Sequence, residues 1–91
     1  MTTLPDEEIK ALVRTAAEAN NIPTQAVSTS TVIDSSGREA LKVVITIPSG
    51  TWFQIVGSSS ARTVIDVIHK LADAGEERFP IVQFGEKASA S

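Results

Sequence analysis

The sequence contains no cysteine and a single histidine, His69. The first absence excludes disulfides and thiolate metal sites. The second excludes a metal site built on two histidines of one chain. Positive charge is not in excess either. Eight Lys and Arg stand against eleven Asp and Glu, for a net charge of −3 and a pI near 5.0. That balance argues against strong binding to a nucleic-acid backbone. Long hydrophobic runs are missing. Stretches such as Val43-Val44-Ile45 fall far short of the ~20 residues of a membrane span. The start, Met1 to Glu8, has no basic region followed by an apolar one, so no secretory signal is expected. The expectation is a soluble protein, cytoplasmic by default, with no metal, no cofactor and no membrane contact.

What is present suits an ordinary globular chain. Apolar residues make up 42% of the 91 and charged residues 21%, which argues against long disorder. The length fits one small domain. Residues 1–84 are expected to form it and residues 85–91 a disordered tail.

A first helix is read from Ile9, Leu12, Val13, Ala16 and Ala17, which recur at helical spacing. Thr3 is its expected N-cap, with Asp6 three residues on in capping-box relation and Pro5 in the first turn. Asn20-Asn21 before Ile22-Pro23 stops it, since asparagine tolerates the left-handed conformation. The period then drops to two. Val27 to Ile33 and Ala40 to Ile47 read as strands joined by Ser35-Ser36-Gly37, a three-residue loop ending in glycine. That loop sets Asp34 opposite Arg38 and places Val27, Thr29 and Thr31 opposite Ile45, Val43 and Leu41. A third strand, Thr51–Val56, is expected to pair with the second after Pro48-Ser49-Gly50. The core face then collects Val27, Ile33, Leu41, Val43, Ile45, Ile47, Phe53 and Ile55.

A second helix is expected after Gly57-Ser58-Ser59-Ser60, with a serine as N-cap. Ala61, Val64, Ile65, Val67, Ile68, Leu71 and Ala72 share one face; Arg62, Thr63, Asp66, His69, Lys70 and Asp73 share the other. Gly75 ends it. Phe79 to Phe84 reads as a short C-terminal strand of open direction, starting at Pro80 or lying at a sheet edge, because proline cannot donate to a ladder. The fold class is therefore α+β: a two-layer sandwich of order α-β-β-β-α plus that strand. Both helices cover one face of an antiparallel sheet.

The outer sheet face is the leading functional candidate. It is expected to carry Val32, Ala40, Val44, Trp52 and Val56, mixed with Ser28, Ser30, Lys42, Thr46 and Gln54. A sheet face left to water should be mostly polar. An exposed tryptophan framed by small polar residues is typical of contact surfaces. Trp52, Val44, Thr46, Val32 and Val56 thus mark an expected interface. The bland alternative folds Trp52 over the sheet edge or under the Phe79–Phe84 segment.

Two weaker candidates sit on the second helix. His69 lies between Asp66 and Asp73, an arrangement that suits an acid–base histidine and equally a solvated face of charge pairs. Ser58, Ser59, Ser60 and Arg62 open the helix, where free N–H groups, hydroxyls and a guanidinium suit an anion. They suit plain capping as well, and no P-loop or G-x-G-x-x-G spacing supports the former. No catalytic residues are assigned.

The function expected is a small non-enzymatic protein-interaction module. It is a homodimer, or an accessory or regulatory subunit of a larger protein, docking through the outer sheet face. One alternative is a weak nucleic-acid-binding domain, because the α-β-β-β-α order also occurs in double-stranded-RNA-binding domains. Those place a basic cluster where the second helix begins; here Ser58 to Arg62 holds one positive charge. A second alternative is a small-ligand binder or enzyme using His69 and Arg62.

Overall fold

The computed structural model describes residues 3–50 and 57–86. Its elements are α1 (Asp6–Ala19), β1 (Ala26–Ile33), β2 (Glu39–Ile47), α2 (Gly57–Asp73) and β3 (Phe79–Glu86). The sheet has the order β1-β2-β3. β1 runs antiparallel to β2 and β3 runs parallel to it. The result is a two-layer α+β sandwich on a mixed sheet.

The β1–β2 hairpin follows from its turn. Gly37 has φ +84°, a left-handed conformation that costs glycine least. The Asp34 carboxylate accepts from the Ser36 and Arg38 amides and the Ser36 hydroxyl. The Asp34 amide donates to the Arg38 carbonyl at 2.9 Å. This closes a three-residue loop and sets Val27 opposite Ile45, Thr29 opposite Val43 and Thr31 opposite Leu41, as expected.

Both helices end alike. Asn21 (φ +61°) and Gly75 (φ +100°) are left-handed. The next amides, of Ile22 and Glu76, reach back to the carbonyls of Ala17 and Leu71 at 3.0 and 2.9 Å. This is the Schellman arrangement. The start of α1 differs from expectation. Pro5 is the N-cap, with no side-chain capping bond, and its carbonyl accepts from the Ile9 amide. Proline already holds the φ a helix needs, so the helix starts beside it without help from Thr3.

Both helices pack on the face formed by Val27, Leu41, Val43, Ile45 and Ile47, and α1 supplies Ile9, Val13, Ala16 and Ala17 to the same core. From α2 come Val67 and Leu71. Thr63 is buried as well, although it was assigned to the polar face. Its hydroxyl donates to the Ser59 carbonyl at 2.8 Å, which removes the cost of burying it. Conversely Ala61, Ile65 and Ala72, assigned to the core, are exposed. The cause is the width of the sheet. The three strands of the described residues, about 4.8 Å apart, span about 10 Å, roughly one interhelical spacing. α1 therefore lies against β1 and α2 against β3, and the far flank of the α2 stripe overhangs. Ile33, also assigned to the core, is 65% exposed. It has the right strand parity but stands at the last position of β1.

Segment 51–56 lies outside the described residues. The place expected for it is nonetheless occupied: β2 is bonded to β1 on one side and, from Ala40 to Ile47, to β3 on the other. β3 is an edge strand among the described residues, as Pro80 requires. It runs through Gly85 and Glu86, past the expected domain boundary at residue 84.

Candidate functional site: the outer sheet face

Side chains alternate along a strand, and paired residues share a face. With Leu41, Val43, Ile45 and Ile47 turned to the helices, Ala40, Lys42, Val44 and Thr46 turn away from them. Through the register, so do Val32, Ser30 and Ser28 on β1, and Phe79, Ile81, Gln83 and Gly85 on β3. A Cβ placed on Gly85 would lie 3.7 Å from Val44 Cγ1, which agrees with this assignment.

The described part of the expected interface, Val32, Val44 and Thr46, is thus brought to one face, each half-buried. Trp52 and Val56 lie outside the described residues. The residues missed are Phe79, 62% exposed, and Ile81, 36% exposed. They flank the row on the β3 side. Ala40, between its partners Val32 and Phe79, is 1% exposed although neither described helix covers it. The face therefore carries a strip of Val32, Ala40 and Phe79 across the sheet, with Ile81 and Val44 beside it. A parallel β3 was needed to find it, and the strand's direction was not legible in Phe79–Phe84 itself.

The two candidates on α2 are placed separately. His69 is exposed. Asp66, its expected partner, instead accepts from the Asn20 amide nitrogen at 2.9 Å. The same nitrogen donates to the Ala16 carbonyl, so this contact ties the end of α1 to α2. Gly57 to Ser60 form the first turn of α2 rather than preceding it. The Ser60 hydroxyl donates back to the Gly57 carbonyl at 2.9 Å, and Ser59 supplies the carbonyl for Thr63. Arg62 is exposed. The Ser58 side chain lies outside the described residues.

A buried ion pair, Glu76 with Arg78, lies in the loop after α2. Glu76 follows Gly75 at the position where Ile22 buries an apolar side chain after α1. Its carboxylate accepts from Arg78 Nε at 2.8 Å and Nη2 at 2.9 Å, from the Arg78 amide and from the Leu4 amide at 2.9 Å. The Arg78 bond, then the Leu4 and Arg78 amides, outweigh burial and hold the Glu76 pKa at about 2, below its ordinary 4.5. Arg78 is correspondingly raised, chiefly by Glu76. Its Nη1 donates to the Thr31 hydroxyl at 2.7 Å. The pair thus ties the N-terminal segment, the α2–β3 loop and β1 together, a structural task.

Among the described residues there is no pocket and no group of three His, Asp or Glu placed to hold a metal. No described helix is long and apolar enough to cross a membrane. No family model matches the chain, and no curated protein matches it. A solved structure of CzrB, a protein assigned as a zinc transporter, is similar in fold. The likeness covers 93% of this chain and 99% of that chain, with a TM-score of 0.59 and 16% identity. At that identity the likeness is one of architecture.

Proposed function

We propose that the chain is a non-enzymatic protein-interaction module that docks through the outer face of its sheet. Its occupant is a second copy, or a larger protein that this chain serves as an accessory or regulatory subunit. The observation that supports this reading is the Phe79 side chain, 62% exposed, set beside Ala40 and continuous with Ile81, Val44 and Val32 on a face without helices. Aromatic side chains on such a strip are the usual anchors of an interface, and symmetric dimers are the commonest assemblies. Zinc handling is not carried over from the CzrB fold. A zinc site needs cysteine, histidine or carboxylate ligands in a tetrahedral set. The single histidine, the lack of cysteine and the scattered carboxylates of the described residues do not fit one.

Sedimentation equilibrium of the wild type, Phe79→Ser and Trp52→Ala tests the dimer. The wild type is expected to associate, and both variants to sediment at a lower average mass than it does, with little change in their unfolding curves. Wild type and variants sedimenting alike as monomers would remove the homodimer form of the proposal.

A further inference from the structure

Among the described residues β1 is an edge strand, and its sequence, Ala-Val-Ser-Thr-Ser-Thr-Val-Ile, holds no charge and no proline. Edge strands are normally guarded by such residues, because their outward N–H and C=O groups will pair with another strand. The bond from the Asp34 amide to the Arg38 carbonyl fixes which groups those are. Hydrogen-bonded pairs alternate along an antiparallel ladder. The even-numbered residues of β1 thus bond to β2, while Val27, Thr29, Thr31 and Ile33 aim their backbone groups at the open side.

We propose that two copies of this chain pair antiparallel through β1 about a twofold axis at Ser30, making one continuous six-stranded sheet. A second copy suits this edge for two reasons. An uncharged strand meets no like charge when it faces itself. The charges resting on the strand also select the register. Thr29 donates to the Asp6 carboxylate at 3.4 Å, and Thr31 accepts from Arg78 at 2.7 Å. An axis at Thr29 would bring two Asp6 together, and one at Thr31 two Arg78. With the axis at Ser30, Thr29 faces Thr31 of the second copy, so each Asp6 meets the opposite Arg78. The exposed Ile33 then lies opposite Val27 of the second copy, on the helix side of the sheet.

This interface is separate from the outer-face strip; because the Ser30 side chain turns to that face, amide exchange at Thr29 and Thr31, rather than mass alone, separates the two. Ser30→Lys and Ser30→Glu each set like charges on the axis. Each alone is expected to weaken self-association by about tenfold or more, and an equimolar mixture to restore it, as read by sedimentation equilibrium. Thermal melts confirm that each variant folds. Amide exchange of the wild type should show Thr29 and Thr31 gaining protection as concentration rises. Phe79→Ser should leave that protection in place. A wild-type chain that stays monomeric at about 1 mM overturns the proposal. So does a dimer indifferent to both Ser30 variants, or one whose Thr29 and Thr31 amides exchange at a rate independent of concentration.

Discussion

The two faces of β2 belong to one run of residues, yet they have different fates. Leu41, Val43, Ile45 and Ile47 are at most 1% exposed. Lys42, Val44 and Thr46, alternating with them, are half-buried. Both helices sit on the first face. Among the described residues the second is shielded by neighbours within the sheet, most fully at Ala40. The contrast shows that, among the described residues, the helices account for the core on one face of the sheet alone. Val32, Phe79 and Ile81 therefore need a reason other than core packing.

Ile45→Ala should give the largest effect that sharpens this contrast. It removes a fully buried side chain between the sheet and the helices, at an expected cost of about 3–4 kcal/mol. That is a large part of the stability of a small domain. Val44→Ala, one residue away on the other face, should cost well under half as much. Urea unfolding of both variants makes the comparison, and equal losses would mean that the outer face is packed as tightly as the core.

Next comes the buried pair at the edge of the helix layer. Glu76 titrates at about 2 in the folded chain against an ordinary 4.5. A lowered carboxylate stabilises the fold fully above its unfolded value, and the contribution is lost as pH falls through the folded one. The shift corresponds to something on the order of 3 kcal/mol. Glu76→Gln should lose about that much near neutral pH, because the Arg78 guanidinium is left without its counter-charge. The gap between wild type and variant should be constant above about pH 4.5 and close by about pH 2, in the window set by the two pKa values. Urea unfolding at stepped pH measures it. A gap independent of pH would show that the pair carries no linked proton.

The hairpin and the core face were legible in the sequence because two local signals agreed. Strict alternation fixed the faces, and a glycine-ended loop fixed the register from Asp34 and Arg38 to Val27 and Ile45. The helix ends were legible for the same kind of reason, since Asn21 and Gly75 each mark a left-handed residue. The partner of β2's second edge was not. Thr51–Val56 alternates and follows a turn, so local rules favoured it over a strand lying beyond a 17-residue helix. A strand reached through a helix can return parallel to the first, and β3 does so. That is a non-local choice, and it decides which residues join the outer face. It hid Phe79 and Ile81 from the candidate site. Glu76 was hidden by its type: a glutamate after a helix-ending glycine reads as solvated until the arginine two residues on is seen to fold back on it.

The smallest effect on the monomer is expected at the residue that matters most to docking. His69 serves as the control, being exposed on α2, away from the helix-free face. His69→Gln should change neither stability nor assembly. Phe79→Ser removes a side chain already 62% exposed, so its loss should shift the unfolding free energy by no more than about 0.5 kcal/mol, the range of surface substitutions. A core residue cannot behave this way, because its removal leaves a cavity whatever else it touches. If Phe79→Ser instead destabilised the isolated chain by about 2 kcal/mol or more, its ring would be holding down Ala40 as part of the fold. The apolar strip would then be a second, minor core rather than a place for a partner. Near-native stability together with weakened association would separate the roles of the two faces: one holds the chain together, and the other binds.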